Sequence, residues 1–275
     1  MYGILFDANL CVGCGACMEA CRAENGLPES DETEGLKLSA TDYCVVEEVG
    51  DVYLRRMCMH CLEPSCASAC PVGALHKTSL GPVEYDFEKC IGCRYCMVAC
   101  PFSVPRYEWN SVTPRVRKCQ LCPHRLSKGL PTACSEACPA EATVSGERSE
   151  LLAEAWRRIS EDPDSYAPRV YGTTEAGGTS VLVIGPPEVM AAFDPRIPNE
   201  SLPHKTWVVL SQIPTAVGTA GGGLLAINWI IRRRMALTAE RLRKNGDEHA
   251  QSFELKEEDA LAGIDPSDPG KGGVR

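Results

Sequence analysis

The sequence predicts an α+β protein of two pseudo-symmetric, cysteine-rich modules, extended towards the C-terminus by one transmembrane helix. Three observations carry this. Sixteen of the 17 cysteines fall into four groups with mostly two- and three-residue gaps. Short β-prone runs punctuated by turn residues lie between the groups. Residues 207–231 form a stretch of 25 residues without a formal charge. The expected organisation is a four-group cysteine domain at 1–146, a helical and loop extension packing on it at 147–206, the membrane helix at 207–231, and a charged, partly disordered tail at 232–275.

Groups two and three organise the chain. CMHCLEPSCASACP supplies Cys58, Cys61, Cys66 and Cys70, and CIGCRYCMVACP supplies Cys90, Cys93, Cys96 and Cys100. The second of these has the Cys-x2-Cys-x2-Cys-x3-Cys-Pro spacing of a ferredoxin-type iron–sulfur site. Three closely spaced thiolates converge on one cube, and the fourth, just before proline, reaches a neighbouring cluster. Proline has no N–H and a fixed φ, so it stiffens the exit from each loop. Exchange of fourth ligands then assigns Cys58, Cys61, Cys66 and Cys100 to one cluster, and Cys70, Cys90, Cys93 and Cys96 to the next. A disulfide framework does not account for repeated two-residue gaps. A zinc site needs only Cys-x2-Cys pairs and leaves the third cysteine and the Cys-Pro endings unexplained.

Taken in order, Tyr2 to Phe6 reads as a short strand leading into CVGCGACMEAC, with Cys11, Cys14, Cys17 and Cys21 at cluster spacing. Gly13 and Gly15 let the loop backbone come close to a cluster and take positive φ. Arg22 stands where the other groups have proline. Asn25 to Glu34 is polar and reads as a surface loop. Cys44 to Val49 and Val52 to Leu54 read as strands about the turn Gly50-Asp51, with Cys44 a small core hydrophobe. Two readings stay open for Arg55 and Arg56: compensation of a buried thiolate cluster, or a solvated basic turn.

Ala74 to Lys77 and Val83 to Phe87 flank Gly81-Pro82 as a hairpin entering group three. FSVPRYEWN reads as an extended connector. In group four, 11 residues separate Cys122 from Cys134. Because the short hairpin binds group two to three, groups one and four are left to pair. This gives Cys11, Cys14, Cys17 with Cys138, and Cys119, Cys122, Cys134 with Cys21; pairing of sequence-adjacent groups is the alternative. His60 and His124 lie inside ligand loops, where four cysteines per cluster are already at hand. Neither is expected to bind iron.

Glu147 to Ile159 has helical periodicity, with Leu151, Leu152, Ala155, Trp156 and Ile159 on one face. A Pro, Gly and Asp-rich loop follows, then the apolar strand Ser180 to Ile184 and a helical turn from Glu188 to Phe193. Trp207 to Ile231 spans roughly 37 Å as a helix, against a hydrocarbon core of roughly 30 Å. Trp207 and Trp229 sit near its ends as interfacial anchors. Gly218 and Gly222 offer a face for another helix. Gly221, Gly223 and Ala226 fit G-x-G-x-x-A but lack the strand–turn–helix setting of a dinucleotide site. Arg232, Arg233 and Arg234 follow at once. The positive-inside rule then puts the C-terminus in the cytoplasm and the cysteine domain on the other side of a single-pass membrane protein.

The net charge of −9 gives no reason to expect nucleic acid as a partner. No paired carboxylates or nucleophile–base set suggests catalysis. MYGILFDANLC reaches a ligand cysteine by position 11, with no cleavable or twin-arginine signal in it. A cysteine domain outside the cytoplasm would then need something else to carry it across.

With the C-terminal helix, CMHCLEPSCASACP, CIGCRYCMVACPFSVPRYEWN and VYGTTEAGGTSVLVI resemble a known family across residues 1–235. It is that of the iron–sulfur β subunits of membrane-bound respiratory oxidoreductases, of formate dehydrogenase and NiFe hydrogenase type. The resemblance implies four [4Fe-4S] clusters in two bacterial-ferredoxin-like halves. Electrons would come from a catalytic molybdenum or tungsten subunit, or from a hydrogenase pair. They would leave to an integral membrane cytochrome or quinone-reacting subunit in the lipid bilayer. The alternative is the same wire in a polysulfide, tetrathionate or dimethyl sulfoxide reductase, run the other way. A structural zinc scaffold is a remote third.

Overall fold

The computed structural model describes residues 1–28, 37–109 and 111–246. It divides into two compact units, Met1–Trp207 and Val208–Arg275. The first unit is built around β1 (Tyr2–Asp7), which enters α1 (Ala16–Asn25) through the first cysteine loop. The hairpin β2 (Cys44–Val49) and β3 (Val52–Met57) leads to group two, whose second half forms α2 (Ser65–Ser68). Strands β4 (Leu75–Lys77) and β5 (Val83–Tyr85) form the hairpin before group three, and α3 (Tyr95–Ala99) carries its last thiols. Strands β6 (Arg106–Tyr107) and β7 (Val116–Arg117) precede group four, which holds α4 (Pro123–Leu126) and α5 (Ala133–Glu136). The chain then runs through β8 (Thr143–Glu147), α6 (Arg148–Glu161), β9 (Val181–Ile184) and α7 (Pro187–Ala191).

The short strand at the N-terminus is the centre of the only three-stranded sheet among the described residues, in the order β8-β1-β9. It pairs antiparallel with β8, Ile4 opposite Ser145, and parallel with β9, Ile4 opposite Val181. Alternation along a strand sends neighbouring side chains to opposite faces. Ile4 and Phe6 accordingly join Val181 and Val183 in a core that includes Cys21, Cys58, Cys119 and Cys134. Leu5, Leu182 and Ile184 pack on the other face against Leu151, Ala155 and Ile159 of α6. Each such buried side chain is worth about 1.5–3 kcal/mol relative to exposure. The sheet is thus apolar on both faces, with α6 on one and the cysteine loops on the other. Asp7, at the end of β1, is fully buried, and its carboxylate accepts from Arg158 at 3.0 Å and Tyr166 at 2.9 Å.

Several expectations need correction. Trp156 was placed on the buried face of α6 but is 44 % exposed. The apolar arc is narrower than the periodicity suggests: Leu151, Ala155 and Ile159 fill it, with Leu152 packed at its edge. Val52 to Leu54 extends to Met57, which brings Arg55 and Arg56 into the strand. The connector after Pro101 includes the strand Arg106–Tyr107. Asn25 ends α1 rather than opening the loop, while 29–36 lie outside the described residues.

The membrane segment is not one uninterrupted helix over 207–231. It comprises α8 (Leu202–Leu210) and α9 (Ile213–Lys244), with a turn at Ser211 and Gln212. Pro214 lacks an N–H and its ring clashes with the carbonyl four residues earlier, so it starts a helix better than it continues one. Beyond Ile231 the helix continues to Lys244 through Arg, Met, Ala and Leu, all good helix formers. The charged segment from 232, expected to begin helical, is helical over its first part, and 247–275 lie outside the described residues. The segment is long and apolar enough to cross a membrane, and Leu224, Leu225 and Trp229 are exposed on it.

A Cβ at Gly3 would collide with the carbonyl oxygen of Ser180, which accepts the N–H of Ile4 at 2.9 Å where β1 meets β9. Gly3→Ala is expected to destabilise the cysteine domain by about 1–3 kcal/mol. The measurement is the urea midpoint of the full-length protein; an unchanged midpoint would mean that β1 can shift without cost.

Candidate iron–sulfur sites

The four cysteine groups share one local conformation. The residue two after the first cysteine has positive φ in every loop: Gly13 at 69°, His60 at 49°, Gly92 at 69° and Leu121 at 64°. This turns the backbone so that N–H groups face sulfur. Gly92 N–H donates to Cys90 Sγ at 3.4 Å, and Leu121 N–H to Cys119 Sγ at 3.4 Å. Glycine takes this conformation freely, whereas His60 and Leu121 hold it at a cost of about 1–3 kcal/mol each. Strain of this kind persists only where the surroundings over-determine it.

The Cys-Pro endings also match. After Cys70, Cys100 and Cys138, the third residue again has positive φ: Gly73, Ser103 and Glu141. Each donates its N–H back to the cysteine carbonyl, at 3.3, 3.1 and 3.3 Å. Group one differs because Arg22 permits helix. There α1 runs past Cys21, and the Asn25 amide donates to Cys21 O at 2.8 Å.

Tertiary structure brings thiols of separate groups together. Cys11, Cys14, Cys17 and Cys138 line one cavity. Cys21, Cys119, Cys122 and Cys134 line a second, with α1 and α5 in contact beside it. Burial pushes the Cys61 thiol up, and the neighbouring charges of Cys58, Cys100 and Cys66 add to it. Burial likewise pushes Cys96 up to about 11, helped by Cys90, Cys93 and Cys70. The sets also influence one another electrostatically. Cys119 feels the charge of Cys58, and Cys66, pushed up to about 12 mainly by burial, feels that of Cys96.

These thiols fit a resident group of positive centres. Burial and mutual repulsion both disfavour their anionic form, so they become ligands only where metal replaces the proton. Neither cavity is lined by a carboxylate or an imidazole. Among the described residues no three His, Cys, Asp or Glu side chains are grouped as they would be around one metal ion. One zinc would draw four sulfurs to about 2.3 Å from a single centre. An iron–sulfur cube instead binds four thiolates together with its own sulfides. His60 is fully buried, and its Nδ1 accepts from Val83 N–H at 2.9 Å. The ring is therefore protonated on Nε2, and burial, with the charges of Lys118 and Lys77, keeps it neutral. That Nε2 has no partner among the described residues. An orphan donor between Cys58 and Cys61 is what a sulfide-containing group beside it would satisfy.

His124 lies at the surface against Glu24, and Cys44 is 2 % exposed in the core, its thiol donating to Cys17 O at 3.5 Å. The buried Lys118 and the half-buried Lys77 were missed by sequence reasoning. Lys118 donates to the carbonyls of Val83 and Cys119, and Lys77 to His60 O at 3.0 Å and Ser180 Oγ at 3.1 Å. Lys118 abuts a ligand cysteine and Lys77 ends a strand, but neither local pattern signals burial.

Residues 49–148 match the 4Fe-4S dicluster domain, and residues 4–24 match a 4Fe-4S binding domain. The hydrogenase-2 operon protein HybA of Escherichia coli O157:H7 is 39 % identical over 226 residues, covering 66 % of this chain and 69 % of that protein. The iron–sulfur subunit of the nitrate-inducible formate dehydrogenase of Escherichia coli K12 is 36 % identical over 197 residues, 66 % of each chain. The iron–sulfur cluster-binding subunit of menaquinone reductase from Nitratidesulfovibrio vulgaris is 32 % identical over 224 residues, 60 % of this chain and 87 % of that one.

Cys44 sits beside the ligand candidates without belonging to a group. Cys44→Ala should leave iron content and visible absorbance unchanged, whereas Cys17→Ala should lose both in part. Loss of iron from Cys44→Ala, measured per folded chain, would break the assignment of sixteen ligands.

Proposed function

The chain belongs to the ferredoxin-type iron–sulfur subunits of respiratory oxidoreductases, and from that premise we propose that it is a four-cluster wire between a catalytic and a membrane subunit. Its role is electron transfer, without catalysis of its own. The ligand sets are Cys11, Cys14, Cys17 and Cys138; Cys21, Cys119, Cys122 and Cys134; Cys58, Cys61, Cys66 and Cys100; and Cys70, Cys90, Cys93 and Cys96. The observation that carries this reading is the convergence of thiols from paired groups into cavities and charge-coupled sets. When bound, each [4Fe-4S] cluster accepts and returns one electron.

The protein's own residues hold the ligands, exclude water and set local charge. N–H groups aimed at sulfur favour the more negative, reduced state. The electrostatic influence of Cys58 on Cys119, and of Cys96 on Cys66, supports a serial order from the group-one cavity to the group-three loop. The shared positive-φ positions and the matching Cys-Pro turns support two pseudo-symmetric halves, one from groups one and four and one from groups two and three. The domain division at 1–146, 147–206, 207–231 and 232–275 is proposed with it, the last part beginning as helix.

The partners proposed are a molybdenum, tungsten or NiFe catalytic subunit and an integral membrane cytochrome or quinone-reacting subunit. The apolar helix anchors the protein in the bilayer. Arg232, Arg233 and Arg234 favour a cytoplasmic C-terminus and a cysteine domain outside the cytoplasm.

Anaerobically purified protein should be brown and hold about sixteen irons per chain, and Cys100→Ala about twelve, with the Cys58, Cys61 and Cys66 cluster the one lost. Loss of the Cys90, Cys93 and Cys96 cluster instead, seen by electron paramagnetic resonance, would show that fourth ligands are not exchanged. Truncation before Trp207 should release the cysteine domain from membranes with its iron retained; continued sedimentation with lipid would refute the anchor.

A further inference from the structure

Strand β3 sends its two arginines to opposite faces. Arg56 reaches outward, donating to Glu47 at 3.0 Å and to Ala192 O at 2.9 Å. Arg55 turns inward and is only 5 % exposed. Its Nη1 donates to Thr143 Oγ1 at 3.4 Å, and its Nε is buried with no partner among the described residues. No described Asp or Glu forms an ion pair with it. A guanidinium stays charged in proteins, and a buried charge requires compensation. The cysteines that bear electrostatically on Arg55 are Cys134, Cys17 and Cys119, with the neutral thiol of Cys44 beside them. Cys17 belongs to the first proposed cluster site, and Cys119 and Cys134 to the second, whose cavity Arg55 also lines. Buried Lys118 differs, because the carbonyls of Val83 and Cys119 already solvate its ammonium.

We infer that Arg55 is a shared countercharge for the two clusters of the group-one and group-four half, and that it raises the reduction potentials of both. The inference rests on the reading of the thiol sets as cluster sites. An electron arriving from an adjacent cluster adds one negative charge beside a fixed positive one. No bond forms or breaks and no proton moves. A fixed cation within a low-dielectric interior stabilises that added charge far more than water-screened charges can.

The test is a redox titration of full-length, anaerobically purified protein followed by electron paramagnetic resonance, with iron counted on the same samples. Arg55→Met removes the charge and keeps much of the bulk, while Arg55→Lys keeps the charge. Arg55→Met should make reduction of two clusters at least tenfold less favourable, 59 mV for a one-electron couple. These should be the two that Cys17→Ala and Cys134→Ala identify, with the other pair unmoved and Arg55→Lys within threefold of wild type. Full iron with unmoved potentials in Arg55→Met, or an equal shift in Arg55→Lys, would overturn the inference while leaving the cluster reading intact. Should Arg55→Met lose the two clusters altogether, Arg55→Lys decides: full iron supports the charge, and the same loss shows that only packing matters. Wild-type protein free of iron would overturn the cluster reading itself.

Discussion

Thiolates cannot be buried in fours unless something gathers their charge, and the structure is arranged around that constraint. Burial and mutual repulsion push Cys61 and Cys66 up, and Cys119 with them. Left to themselves these groups would remain neutral thiols in an ordinary core. Two kinds of compensation are built into the chain instead: N–H groups turned toward sulfur and cations buried without carboxylate partners. Each loop holds a residue in a conformation that most side chains avoid, because that conformation aims the N–H groups.

The same constraint explains the small sheet. A cysteine loop has little apolar surface of its own, so it needs a rigid platform. Strand β1 provides one, with Ile4 and Phe6 toward the cysteines and Leu5 toward α6. The extension that carries α6 and β9 is thus part of the platform, since β9 hydrogen-bonds directly to β1.

What the sequence made legible was what depends on local spacing. The two hairpins, α6 and β9 were readable from periodicity and turn residues. The gathering of Cys11, Cys14 and Cys17 with Cys138 in one cavity follows from the motif spacing plus one elimination. What was not legible depends on distant partners. Nothing in Tyr2 to Phe6 says that its neighbours are residues 143–147 and 181–184. Arg55 and Arg56 are identical in type, and only the strand's extension to Met57 decides which is buried. Trp156 keeps helical spacing with Leu152 and Ile159, yet the surface of β1 and β9 is too narrow to cover it. Pro214 starts α9, and nothing local to Ser211 and Gln212 marks the turn before it.

The central place of β1 bears on how the protein is made. Chains tend to fold from the N-terminus as they leave the ribosome. Here the first strand to emerge waits for β8 and then β9, more than a hundred residues later, before either of its edges is covered. The segment holding groups two and three closes its own hairpin much sooner. Translation therefore exposes an apolar, unpaired strand for most of the synthesis of this domain.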